Sequence, residues 1–187
     1  MIQRAQSIYY LIAIVSLIFI TTGATIFSYN SINQSENGIY FKVNSYGIQV
    51  SGEMDEINFK QIKNDSFRAY FNEEGQIIKA TYHKFPFYIF SILLTFILTI
   101  TLLRYKKREI QLRLGRLSFF IAFIGFLFII ISFYLVKSSL KEFTGLPLIN
   151  KLGLGFFLFV FVVAFTFLGN LGVRKDIKIL KSIDRIR

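Results

Sequence analysis

The chain predicts an all-α transmembrane fold: a four-helix bundle carrying a small antiparallel β-sheet domain outside the membrane, between its first and second helices. Three observations predict it. Hydrophobic residues make up 53% of 187 positions, with 23 phenylalanines, and they are concentrated in four long apolar runs instead of being dispersed. Basic residues crowd the ends of those runs, as topology signals do. The one long hydrophilic stretch alternates apolar and polar residues with period two, the pattern of half-buried strands.

The composition also excludes classes of function. A net charge of +11 would suit nucleic acid if it formed a patch. Here it is distributed as flanks to apolar spans, so nucleic-acid binding is not expected. With no cysteine, there are no disulfides, thiolate metal sites or cysteine nucleophiles. A lone histidine, His83, makes a histidine-based metal site within one chain a poor expectation, and no metal or cofactor is predicted.

The amino-terminal segment carries a single charge, Arg4, and residues 8–28 follow as the first predicted span. About 21 residues at ~1.5 Å each cover a hydrocarbon core of ~30 Å. A cleaved signal peptide is the rival reading, but Thr22-Gly23-Ala24 is a poor cleavage site and the apolar run continues through Ile26 and Phe27. Residues 29–83 form the predicted β-rich domain, of three to five strands. Ile39, Phe41 and Val43 alternate with Tyr40, Lys42 and Asn44, and Ile48 and Val50 flank Gln49. Ser66–Phe71 and Gln76–Tyr82 bracket Asn72-Glu73-Glu74-Gly75, a hairpin turn ending in glycine. So short a domain has a thin core, and the sheet should rest on helix ends or a partner.

Residues 84–103 are the second predicted span, with Pro86 suited to its first turn. Ser91, Thr95 and Thr99 recur every four residues and offer a small-residue face for helix packing. Residues 104–116 are a basic loop, in which Arg104, Lys106, Lys107, Arg108, Arg113 and Arg116 face one acid, Glu109. Ile110, Leu114 and Leu117 fall at helical spacing, so part of this loop extends the helices beyond the membrane. Residues 117–136 are the third span, with Ser118, Ala122 and Gly125 as its packing stripe. A short external loop, residues 137–150, turns at Thr144-Gly145-Leu146-Pro147. Residues 151–173 are the fourth span, where phenylalanines surround the helix. The tail, residues 174–187, includes Arg174, Lys175, Lys181, Arg185 and Arg187, with Ile177, Leu180 and Ile183 spaced for a short amphipathic helix on the membrane face.

The amino-terminal segment, the 104–116 loop and the tail hold 13 of the 22 basic residues, and the short external loop with Lys151 holds three. This bias puts both termini in the cytoplasm and residues 29–83 outside.

Three strings carry a resemblance to a known family: the opening Met1-Ile2-Gln3-Arg4-Ala5-Gln6-Ser7-Ile8-Tyr9, the mid-chain Tyr105-Lys106-Lys107-Arg108 to Gln111-Leu112-Arg113-Leu114, and the closing Lys175-Asp176 with Leu180-Lys181-Ser182-Ile183-Asp184-Arg185-Ile186-Arg187. The chain resembles domain of unknown function 4293, a family of four-helix inner-membrane proteins of Bacteroidota. The resemblance implies an uncleaved first helix and no known activity, so it transfers no catalytic residue. The layout alone also looks like that of the claudins, whose Trp and Cys pattern is absent here.

Candidate chemistry is sparse. Transporters place ionisable groups inside their spans, and apart from Lys84 and Lys151 at their boundaries none lies within these four runs. Asn170, near the end of the fourth, reads as a residue in an interhelical hydrogen bond or at an interfacial position. Glu53, Asp55 and Glu56 lack an EF-hand spacing and read as a solvated turn. His83, beside Lys84, has no sequence partner for catalysis. The sequons at Asn33 and Asn64 read as chance in a bacterial protein. Ser182 with Asp184 and Arg185 fits either a docking motif or an anchor on anionic lipid. The resulting expectation is a non-enzymatic accessory or scaffolding subunit of a cell-envelope complex. It would contact the bilayer and other membrane subunits through its sheet and basic segments. A binder or carrier of a lipid or lipophilic ligand, in a groove between helices, is the alternative.

Overall fold

The computed structural model describes residues 3–31, 40–51, 67–71, 77–82, 87–144 and 147–184. They form four helices and six strands: α1 Gln3–Thr21, β1 Phe27–Ser31, β2 Tyr40–Asn44, β3 Gly47–Ser51, β4 Phe67–Phe71, β5 Ile77–Tyr82, α2 Phe87–Leu103, α3 Arg108–Thr144, β6 Leu148–Leu152 and α4 Leu154–Asp184.

This corrects the predicted fold class. A four-span transmembrane bundle does not stand, because only α3 (Arg108–Lys141) and α4 (Leu154–Leu180) are both long and apolar enough to cross a membrane. α1 ends at Thr21, where the chain turns at Gly23 with φ of 100°, a conformation that favours glycine. Of the residues that extend the apolar run, Ile26 leads into β1 and Phe27 begins it: β-branched and aromatic side chains suit a strand with a buried face. α2 is a 17-residue helix. The sheet is also not confined to the region between the first two helices, since β6 joins it from between α3 and α4.

The chain divides into two compact units. The first comprises Met1–Thr21, Ile89–Ile129 and Leu158–Arg187, and the second Thr22–Tyr88 and Ile130–Phe157.

In the helical unit each helix turns one stripe inward. α1 buries Gln6, Tyr10, Ala13, Leu17 and Ile20, and α2 buries Ser91, Leu94, Leu98 and Thr101. α3 buries Gln111, Gly115, Ser118, Ala122, Gly125 and Ile129, and α4 buries Phe159, Val162, Thr166, Asn170, Val173 and Asp176. The spacing alternates between three and four residues, the seam of helices that pack side by side.

The second unit is built on one sheet of order β4-β5-β3-β2-β1-β6, antiparallel throughout. β4 and β5 pair as the alternation predicts, with Phe67 opposite Tyr82 and Phe71 opposite Ile77. The β2–β3 turn is closed by Asn44, whose Oδ1 accepts the amides of Tyr46 (3.0 Å) and Gly47 (3.1 Å). Phe27, Tyr29, Phe41 and Val50 are buried. The Phe133 ring lies tilted against Phe27 at 5.0 Å and stacked on Tyr29 at 5.7 Å, and the Tyr29 hydroxyl donates to the Phe133 carbonyl at 2.9 Å. The sheet therefore gains its core from a helix segment, as its small size requires.

Candidate functional site

The polar interior of the helical unit is its most distinctive local chemistry. Tyr10 on α1 is fully buried, and its hydroxyl donates to Asn170 Oδ1 on α4 at 3.1 Å. Asn170 Nδ2 in turn donates to the Gly115 carbonyl on α3 at 2.8 Å. Three helices are tied through one carboxamide, which is the interhelical role expected of Asn170. Gly115 permits it: a Cβ there would strike both Asn170 Oδ1 and the Tyr10 hydroxyl. The Tyr10 ring likewise lies against Gly169.

One turn further along, the seam stays polar. Gln6 precedes Tyr10 by four residues, Gln111 precedes Gly115 by four, and Asp176 follows Asn170 by six; their exposures are 5%, 2% and 6%. The Gln6 side chain crosses Gly172, and its Nε2 has no hydrogen-bond partner. Arg174 and Lys175, beside Asp176, are exposed.

The residues predicted for helix packing are placed as follows. Ser91, Ser118, Ala122 and Gly125 are buried, and Thr95 and Thr99 are half-buried. The hydroxyls of Thr95, Thr99 and Ser118 donate to the carbonyl four residues earlier on their own helix, at 2.7–2.9 Å. They satisfy themselves and leave a small profile to the neighbour. Gly125 lets the Phe90 ring of α2 approach the α3 backbone.

Arg104, Lys106, Lys107, Arg113 and Arg116 are exposed and Arg108 is half-buried. α3 starts at Arg108, so the connection from α2 is only Arg104 to Lys107. The tail continues α4 as far as Asp184 instead of forming a separate helix. The side chains of Arg4, Lys181 and Arg185, and Arg187 as a whole, lie outside the described residues, as do Glu53, Asp55, Glu56, Glu73, Glu74 and His83. Among the described residues, no three His, Asp or Glu side chains gather as a metal site would need.

Sequence reasoning missed Tyr10, Gln6, Gln111 and Asp176. The available signal was the four-residue spacing of Gln6 and Tyr10 in an otherwise apolar helix, opposite glycines that bracket Asn170 in Gly169 and Gly172.

A family profile described as a domain of unknown function (DUF4293) matches residues 2–186. The chain belongs to the DUF4293 family. No curated protein matches it significantly. DUF4293 membership covers the helices, the sheet and the polar seam alike, and attaches an activity to none of them.

Proposed function

We propose that this DUF4293 chain is an integral inner-membrane protein serving as a non-enzymatic accessory or scaffolding subunit of a cell-envelope complex. One observation carries the membrane part of the reading. α3 and α4 expose their apolar side chains: within the most apolar stretch of each, only 17% and 33% is buried. A core helix of a water-soluble protein would be mostly covered. Here Phe120 (59%), Ile124 (63%) and Leu135 (62%) face outward while Ser118 is fully buried. Such continuous apolar exposure suits lipid and not water.

The positive-inside rule orients the chain. The basic Arg104–Arg116 stretch and the tail, at the ends of the two helices long enough to cross, are cytoplasmic, and β6 between those helices is periplasmic. The sheet then offers strand edges to other subunits, and the exposed basic residues offer a surface to cytoplasmic partners or anionic lipid.

Membrane fractionation with alkaline washing, plus reporters fused after Arg187 and near Gly52, tests the placement. The protein should stay in the washed membrane, with the first reporter cytoplasmic and the second periplasmic; release by alkali or inverted reporters overturns it. Purification in mild detergent with mass spectrometry tests the accessory role. Co-purifying envelope subunits support it, and recovery without any foreign subunit overturns it.

A further inference from the structure

β6 forms one end of the sheet, and its only strand partner among the described residues is β1. Which of its backbone groups remain free follows from the register. β1 and β6 pair with Phe27 opposite Leu152 and Tyr29 opposite Asn150. One step on, the Gly153 amide donates to the Ile26 carbonyl at 2.9 Å. Hydrogen-bonded and non-bonded pairs alternate along an antiparallel ladder. Lys151 and Ile149 therefore direct N–H and C=O toward β1, as Gly153 does its N–H, while the Gly153 carbonyl accepts from the Phe156 amide at 3.2 Å. Leu148, Asn150 and Leu152 direct theirs toward the open edge.

That edge is complementary to itself. A second, antiparallel β6 must match outward residues with outward residues. With the pair centred on Asn150, Asn150 faces Asn150 of the other copy and Leu148 faces Leu152, in both directions. All three outward residues of each strand then bond. The two neighbouring registers that also match outward groups are poorer. One opposes Lys151 to Lys151, and like charges directly opposite are unfavourable. The other opposes Ile149 to Ile149 and leaves Leu152 without a partner. In the Asn150-centred register Lys151 faces Ile149, and the two lysines lie on a diagonal, about 7–8 Å apart.

Antiparallel edge pairing is related by a twofold axis perpendicular to the sheet, an isologous contact. It keeps the face bearing Phe27 and Tyr29, with the α3 segment around Phe133, on the same side in both copies. Exposed Ile149 and Leu152, each 47% accessible, flank the axis. We propose that β6 is the dimerisation strand of this protein, pairing with β6 of a second copy about Asn150. This rests on reading the chain as a sheet-bearing membrane protein.

The test uses the full-length protein in its own membrane. The chain has no cysteine, so each introduced thiol is unique. Asn150→Cys should give a disulfide-linked dimer under mild oxidation, because the facing Cα atoms would be about 5.5 Å apart, within disulfide range. Ile149→Cys and Lys151→Cys should crosslink much less alone but readily when the two variants are co-expressed. Asn150→Pro removes an amide that faces away from β1, so the fold should survive while the dimer is lost, read by size in detergent and by circular dichroism. Maximal crosslinking at position 149 or 151 alone, or no self-crosslinking at any of the three, overturns the proposal. So does a dimer that survives Asn150→Pro with the spectrum unchanged. If these fail while the protein still resists alkaline extraction, the dimer is wrong and the membrane reading stands.

Discussion

The helical unit and the sheet unit solve the problem of a core in opposite ways. The sheet buries Ile26, Phe27, Tyr29, Phe41 and Val50 and leaves Lys42 outside, the usual partition for a protein in water. The helical unit also buries apolar side chains such as Leu17, Leu94 and Phe159, but among them it buries Gln6, Ser91, Thr101, Gln111, Ser118, Thr166, Asn170 and Asp176, and it turns Phe96, Phe120, Phe123 and Phe161 outward. In lipid there is no hydrophobic gain from burying phenylalanine. Association there comes from close backbone approach and from hydrogen bonds between helices. The two patterns within one chain are those expected if, as proposed, its parts meet different solvents.

The sharpest way to break this contrast is a charge on the outward face. Ile124→Lys, in mid-α3 at 63% exposure, should cost about 2.5–3.5 kcal/mol of membrane insertion. It would be read as loss from the alkali-washed membrane. Tyr40→Lys in β2, at 49% exposure, should change stability by less than about 0.5 kcal/mol. Equal effects would erase the distinction.

A smaller effect is expected at Gly153, where an added Cβ would run into the backbone carbonyl of Thr25. Because a carbonyl cannot rotate aside as a side chain can, Gly153→Ala should destabilise the sheet unit by about 1–3 kcal/mol in chemical denaturation. In the helical unit, Asn170→Ala removes the acceptor of Tyr10 and the donor to Gly115. Interhelical bonds in membranes are worth about 0.6 kcal/mol on average and up to about 1.7. A loss near 1 kcal/mol in detergent unfolding is expected, and Tyr10→Phe should add little on the Asn170→Ala background.

Last comes Tyr29→Phe, which deletes the bond to the Phe133 carbonyl for about 1 kcal/mol. Burial pushes the Tyr29 hydroxyl above the usual tyrosine range. Its neutral form is thus favoured by folding. That contribution is fully present below the unfolded value near 10 and is lost as pH rises through the folded one. Alkaline titration of the sheet unit's stability above about pH 10 should therefore be weaker in Tyr29→Phe than in the parent.

Legibility in the sequence followed the range of the interactions. The alternation at Phe41, Val43, Ile48 and Val50, and the turn between Phe71 and Ile77, are local signals, and they became β2, β3, β4 and β5. The uncharged runs of α3 and α4 and the bonding role of Asn170 were equally plain. Apolar content misled at Ile26 and Phe27, because it does not say whether a residue is covered by lipid or by a strand's neighbours. The sequence reads β6 as the end of a connection and the start of the fourth span, since Leu148–Leu152 gains its identity only by pairing with Phe27–Ser31, far away in sequence. The buried Gln6, Gln111 and Asp176 were invisible for the same reason: each is explained by neighbours on other helices.

The pairing of β1 with β6 has a consequence for biosynthesis. Residues 27–82 leave the ribosome well before Leu148, and at 5–20 residues per second the interval after Tyr82 is roughly 3–13 s. Throughout it β1 lacks its outer neighbour, and Phe27 and Tyr29 lack the rings of Phe133 and Phe156 that cover them for part of that time. The half-made sheet waits, sticky on one side, for the end of translation to finish it. If the sheet is exported as proposed, chaperones have their clearest opportunity in that window.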